Sequence, residues 1–240
     1  MSEYNQLLNA YNSITVVMVI KNRVCIRAER CINSLLDQSY PCKIIIVDYG
    51  STDKSWYPDV FNKDKRITLI EVKQNTEVFN KCRALNIGFK SVTTKYVLSS
   101  DIDIIFAPNF IEEIIMALTT KPKSIVLCQK IDLDEEGKEI ETHEPSASGS
   151  CIGIEADWID KVHGYDEVYT YWGREDNDLV DRAVADGYEV VWITNKTKMW
   201  HQWHLPASQE SLKDNDWYYK IPSKPIKRNP NGWGNLEKIS

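Results

Sequence analysis

Apolar positions along the first half of the chain follow two alternating rhythms. Short runs rich in Ile and Val occupy Ile14–Ile20, Lys43–Asp48, Ile67–Val72, Tyr96–Ser100 and Ser124–Gln129, as expected of strands covered on both faces. Between them the spacing lengthens to that of helices. Ile26, Cys31, Leu35 and Leu36 fall at roughly helical intervals over Ile26–Gln38, and Pro41 forbids continuation beyond Ser39-Tyr40. Further helices are predicted over Asn80–Lys90 and, behind Pro108, over Asn109–Leu118. Strand and helix in alternation mean a mostly parallel sheet flanked by helices, so residues 14–130 are predicted to form a βαβ-built half.

Beyond residue 130 the pattern changes. Asp132–Glu144 carries seven acids and little apolar content, and Pro145–Ser150 is loop chemistry. This predicts a surface excursion over Asp132–Ser150, a candidate for closing over a bound substrate. A strand at Cys151–Ile154, a helix around Glu155–Val162, a helix beginning at Glu175 and a strand at Glu189–Thr194 follow. From Leu205 the chain is aromatic and Pro-rich. Its basic residues Lys220, Lys224, Lys227 and Arg228, uninterrupted by acids, read either as a solvated tail or as a patch for an anionic acceptor or membrane surface. The predicted organisation is a lead (1–13), one domain (14–204, halves 14–130 and 131–204) and a tail (205–240), without internal repeats.

Composition narrows the function classes. Thirty-five acids against 29 Lys and Arg leave 240 residues with a net charge of −6, which excludes general phosphate-backbone binding as the main activity. Six cysteines without a CxxC pair or zinc spacing are expected to be reduced and mostly buried. Met1–Ser13 holds no apolar stretch of signal-peptide or membrane-span length, so a cytoplasmic location is expected. Seven of eight Trp lie between Trp158 and Trp233, so the last third uses large aromatic surfaces.

Four short segments carry candidate chemistry. Asp101-Ile102-Asp103 ends an apolar strand, where open α/β sheets place ligand sites. Two carboxylates at i and i+2 in extended chain point the same way and suit a divalent cation, although a solvated strand end would look the same. Val47–Asp53 is a second strand-to-turn junction, whose carboxylates could accept hydrogen bonds from a nucleoside or merely cap a turn. Tyr171–Leu179 places Glu175, Asp176 and Asp178 in the first turn of a helix, which the macrodipole alone would favour. Trp172 just before them offers an apolar platform for a sugar face. Met199–His204 sets His201 and His204 between Trp residues, downstream of the aspartates, and points to metal binding.

In this order the segments resemble the nucleotide-sugar glycosyltransferases of the GT-A fold, particularly the family 2 group. Val16–Ile20 with Lys21-Asn22-Arg23 is similar to the opening strand and loop, Arg30–Pro41 to the first helix, and Ile45–Asp53 to the strand ending in a nucleotide-contacting acid. Asn80–Phe89 resembles the stretch before the metal motif, and Ser100–Asp103 the Asp-x-Asp itself. Trp172–Ala183 is similar to the acceptor-side motif of galactosyltransferases and bacterial chondroitin polymerases, and His201–His204 falls where those enzymes place a third metal ligand.

The resemblance implies a single-domain α/β GT-A fold, a Rossmann-like mixed sheet between helices, and a metal-dependent, inverting hexosyl transfer. By it Asp48 and Asp53 contact a uridine-type nucleotide and Arg83 the nucleotide-sugar. Asp103 and His201, or His204 in its place, hold Mn²⁺ or Mg²⁺, and Asp101 lies against ribose or metal. Asp176 is the general base, Glu175 holds the acceptor and Trp172 stacks on a sugar ring. A UDP-sugar donor and a saccharide acceptor are expected, although a protein side chain or modified nucleobase also offers a hydroxyl. Tyr49, Lys21 and Arg174 depart from the family pattern and bear on the donor. Two other readings remain. A sugar nucleotidyltransferase would need a Gly-rich phosphate loop that Val19–Arg23 lacks, and a non-catalytic carbohydrate-binding module would not need the acids.

Overall fold

A computed structural model describes residues 13–73, 78–142, 150–205 and 212–236. The predicted alternation gives strands β1 (Ile14–Ile20), β2 (Lys43–Asp48), β3 (Ile67–Glu71), β4 (Tyr96–Asp101) and β6 (Ser124–Leu127). It also gives helices α1 (Cys25–Leu36), α3 (Lys81–Phe89) and α4 (Phe110–Thr120). A short helix α2 (Tyr57–Phe61) with Pro in its first turn covers the end of β3. With β9 (Cys151–Glu155) and β10 (Glu189–Trp192) the strands form one seven-stranded sheet in the order β10-β6-β9-β4-β1-β2-β3. Only β9 runs antiparallel to its neighbours.

The period of two sorts each strand between two cores. Val16, Met18 and Ile20 of β1 face α1, α2 and α4, together with Ile44 and Ile46 of β2. Val17, Ile45 and Val47 face the other way, onto α3, α5 (Ala156–Val162) and α6 (Glu175–Ala185). Each such buried aliphatic side chain contributes about 1.5–3 kcal/mol against exposure, which explains why register here tolerates no slip. All six cysteines are free and five are buried.

A second, four-stranded sheet runs β5-β11-β7-β8. It comprises β5 (Ile104–Phe106), β7 (Lys130–Leu133), β8 (Glu139–Thr142) and β11 (Met199–His201). Thus the start of the predicted acidic excursion is a hairpin, because Ile131 and Leu133 alternate with polar residues and Asp134-Glu135-Glu136-Gly137 makes its turn. Residues 143–149 of that excursion lie outside the described residues.

The region beyond residue 211 is not a solvated tail. Helix α7 (Leu212–Tyr219) and the segment to residue 236 dock on α3 and α6. Arg228 is buried, with Nε 3.0 Å from Asp166 Oδ2 and Nη2 2.9 Å from Asp178 Oδ1, and Lys224 Nζ lies 3.7 Å from Asp178. Two of the four basic residues read as a membrane or acceptor patch are therefore consumed inside the fold. Among the described residues no helix is long and apolar enough to cross a membrane.

Candidate active site

Strand β4 ends at Asp101, and the chain turns at Ile102-Asp103 before β5. That turn breaks the extended alternation and separates the two aspartates: Asp103 faces β11, whereas Asp101 faces α3. In the second sheet His201 stands opposite Ile104 of β5 and opposite Asp132 of β7. Asp103 Oδ2 lies 3.3 Å from His204 Nε2 and Oδ1 3.8 Å from His201 Nε2, and the two Nε2 atoms are 3.2 Å apart. One ligand atom from each of these three residues falls within 4.8 Å of the others.

Hydrogen bonds behind the imidazoles orient them. His201 Nδ1 is 2.7 Å from Asp132 Oδ1, and His204 Nδ1 is 2.7 Å from the carbonyl of Leu205. Each Nδ1 must carry its proton to donate, so in the neutral rings both Nε2 lone pairs face each other and Asp103. Buried Asp103 Oδ1 has no hydrogen-bond partner. Converging lone pairs repel unless a cation or proton lies between them, so the three residues fit a metal ion. Without a metal, protons fill that role: burial pushes the Asp103 carboxyl up, but a hydrogen bond from protonated His204 and the charges of protonated His201 and of Arg23 outweigh it and hold it at about 2. The same hydrogen bond raises His204.

On the other side of Asp101 a second cluster forms. Lys81, at the start of α3, places Nζ 2.9 Å from Asp101 Oδ1, 3.3 Å from Glu175 Oε1 and 3.7 Å from Asp176 Oδ2. Tyr165 donates its hydroxyl to Asp176 Oδ1 at 2.9 Å and lies 2.9 Å from Ser99 Oγ. Glu175 Oε2 accepts from the Gly173 amide at 2.9 Å. Burial lifts the Asp176 carboxyl to about 7; Lys81 opposes the rise, while Glu175 and Asp101 add to it. Lys81 stays protonated despite burial because three carboxylates surround it. Between the clusters opens a cavity of about 270 Å³, lined by Lys21, Arg23, Phe79, Lys81, Asp101 and Asp103 among others.

Residues 15–231 match the model of Glycosyl transferase family 2. The chain belongs to that family. Over 93 residues it is 36% identical to an uncharacterized glycosyltransferase of Haemophilus influenzae, covering 38% of this chain but 28% of that relative's length. Its fold is similar to that of GalNAc-T7, solved with UDP, GalNAc and Mn²⁺ (TM-score 0.67, 14% identity, 81% of this chain and 44% of that one). It is also similar to residues 1–349 of S. aureus TarS (TM-score 0.66, 13% identity, 85% and 63%). The family 2 fold thus carries the GT-A arrangement expected from the motif order.

The other residues singled out in the sequence take varied places. Asp48 is buried at the end of β2, its Oδ2 2.6 Å from Lys54 Nζ and its Oδ1 accepting from the Ser51 amide at 2.9 Å. Asp53 is exposed and caps the Ser55 amide at 3.0 Å, which lowers its pKa. Arg83 donates to the Asn235 carbonyl at 3.1 Å. None of these three lines the cavity. Trp172 is 48% exposed, in a loop where Tyr171, Gly173 and Arg174 all have positive φ (55°, 106°, 74°) and Asn215 of α7 donates to the carbonyls of Thr170 and Trp172. Strain of this kind persists only where the surroundings over-determine it.

Sequence reasoning missed Lys81, Tyr165 and Asp132. A Lys opening a helix carries no signal. Tyr165 follows a Gly turn, and Asp132 was hidden in an acidic run.

Proposed function

We propose that this chain transfers a hexose from a nucleotide-diphosphate sugar, a UDP-sugar being favoured, to a hydroxyl of a saccharide acceptor, with inversion. The observation that carries the reading is that Asp103, grouped with His201 and His204, lines the same cavity as Asp101 and Lys81, and that Lys81 also lies beside Glu175 and Asp176. One carboxylate and two imidazoles would hold the metal, and their mixed donor set suits Mn²⁺ better than Mg²⁺. When bound, a divalent cation there neutralises diphosphate charge and makes it a better leaving group.

The remaining work falls to side chains. Asp176, poised near neutrality, accepts the proton of the acceptor hydroxyl, while Tyr165 fixes its second oxygen and Lys81 stabilises its charged form. Glu175, held by the Gly173 amide through Oε2, shares Oε1 between Lys81 and an acceptor hydroxyl, and exposed Trp172 offers its face to a sugar ring. The acceptor oxygen bonds to the anomeric carbon as the carbon–phosphate-oxygen bond breaks. Its electron pair leaves with the nucleoside diphosphate, and attack from the opposite face inverts the configuration.

Incubating the chain with a panel of nucleotide sugars and Mn²⁺, with saccharide acceptors, tests the reading by release of nucleoside diphosphate. Asp176→Asn should lose about 10²–10⁴-fold in turnover while still binding donor and metal. Retained turnover removes Asp176 as base, a product of retained configuration removes inversion, and binding of saccharide without any nucleotide release returns the chain to the class of carbohydrate-binding modules.

A further inference from the structure

Helix α7 grips the loop that leads into α6. In that loop Tyr171 and Arg174 hold positive φ of 55° and 74°, which side chains other than glycine adopt only under constraint, and Gly173 holds 106°. Helix α7 supplies constraint along the loop. The buried Asn215 side chain places its amide nitrogen 3.0 Å from the carbonyl of Thr170 and 3.0 Å from that of Trp172, so its two hydrogens bridge the residues on either side of Tyr171. Leu212 crowds Gly173, where an added Cβ would lie 2.7 Å from Leu212 Cδ1. Asp216 accepts from Arg174 Nε, and the Arg174 guanidinium lies over the Tyr219 ring, 5.4 Å from its centroid. The helix has its own anchors, since Tyr218 donates to buried Asp166 at 2.8 Å and Tyr219 donates to Asp181. It is therefore a fixed support for the loop.

We infer that Asn215 is a positioning residue for the acceptor: from α7 it holds the Thr170–Arg174 loop, and so fixes the Trp172 platform and the Gly173 amide that orients Glu175. This rests on the acceptor-site reading above. Asn215 needs no contact with the sugar. Trp172, 48% exposed, is the residue whose carbonyl accepts from Asn215, and Gly173, which Leu212 crowds, donates to Glu175 Oε2 at 2.9 Å. The donor side is built from other parts. Among the described residues none of α7 lines the cavity of Asp101 and Asp103, and Asp176 is held by Tyr165 and Lys81. The Tyr171 amide also donates to the Phe79 carbonyl at 2.8 Å, a tie to the cavity wall that stays in place when Asn215 is changed. Removing the Asn215 donors strands two carbonyls and releases a loop whose backbone conformation is unfavourable by itself. Ring and carboxylate then no longer meet the acceptor at a fixed spacing, which costs orientation of the acceptor and leaves donor handling intact.

The test compares the wild-type chain with Asn215→Leu, which keeps a similar shape without donors, and with Asp216→Ala, which cuts the Arg174 contact from a part-exposed position. Each is assayed with Mn²⁺ for UDP affinity, for hydrolysis of the donor by water, and for kcat and KM toward glycosides of glucose, galactose, N-acetylglucosamine and N-acetylgalactosamine, as single sugars and β-linked disaccharides. Asn215→Leu is expected to raise the acceptor KM about tenfold and Asp216→Ala about threefold, with kcat falling less than KM rises. UDP affinity and donor hydrolysis stay within twofold of wild type. An acceptor KM within twofold of wild type in Asn215→Leu, or in Asp216→Ala where the leucine variant does not fold, overturns the inference and leaves the acceptor-site reading standing. UDP affinity and hydrolysis that fall as far as the acceptor KM rises overturn it too, because Asn215 then supports the fold at large. If the wild-type chain transfers sugar to none of these glycosides, the acceptor-site reading itself falls and takes the inference with it.

Discussion

Lys81 Nζ stands 3.7 Å from Asp176 Oδ2, in a crevice where no other cation reaches the carboxylate among the described residues. Asp176 acts as a base only when deprotonated, so kcat/KM should fall as pH drops through about 7. Lys81 lowers that pKa by favouring the carboxylate. Lys81→Met removes the opposing charge and leaves burial and two carboxylates to raise it, so the acidic limb should move to higher pH by about one pH unit or more. A pH–rate series for both proteins checks this. An acidic limb that stays in place would show that Asp176 does not govern it.

The 2.7 Å contact between Asp132 Oδ1 and His201 Nδ1 makes a second, separable prediction. Asp132 touches no ligand atom facing Asp103, yet it fixes which nitrogen of His201 is free. Asp132→Asn should weaken Mn²⁺ binding about 10–100-fold, as loss of such an outer carboxylate commonly does, while thermal stability without metal barely changes. Titration calorimetry gives the affinity directly. Equal Mn²⁺ affinity in the variant would mean that the metal does not use His201.

Arg228 makes the corresponding prediction for stability. Its guanidinium lies 3.0 Å from Asp166 and 2.9 Å from Asp178, both buried, and Tyr218 donates to Asp166 at 2.8 Å. Arg228→Ala strands these carboxylates without their main counter-charge. Arg182 Nε, 2.8 Å from Asp178, compensates one of them. The expected cost is about 3 kcal/mol in urea unfolding. A cost below 0.5 kcal/mol, roughly the scatter of surface substitutions, would mean that the C-terminal segment does not dock as described.

These residues mark how far a single sequence reaches. The parity that sends Val16 to one core and Val17 to the other is visible in Val16–Ile20, because a period of two needs no partner to be read. The order Asp101, Asp103, Glu175, Asp176, His201 was also legible, since chemistry-bearing residue types stand out at strand and helix ends. What joins them was not. Asp132 meets His201 only through the β7–β11 register, and an isolated acid in Asp132–Glu144 looks like solvated surface. Arg228 looks basic and free until the fold brings Asp166 and Asp178 to it. The divergence of Asp101 from Asp103 follows from a two-residue turn that strand periodicity does not foresee.

Gly88 tests the packing on which the whole site rests. Helix α3 carries Lys81 and presses so closely on the sheet that a Cβ at Gly88 would lie 2.4 Å from Val17 Cγ1 and 3.1 Å from Val47 Cγ2. Val17 is fully buried and cannot turn aside without displacing neighbours. Gly88→Ala should cost about 1–3 kcal/mol through overpacking, despite alanine's better helix propensity. Val17→Ala alone should cost about as much by leaving a cavity. In the double variant the new methyl occupies the space the valine leaves, so its cost should fall below the sum of the single costs by more than 0.5 kcal/mol. Urea unfolding of the four proteins measures that coupling. Strict additivity would mean that α3 does not sit against β1 at Gly88, and the placement of Lys81 at the cavity would then lose its support.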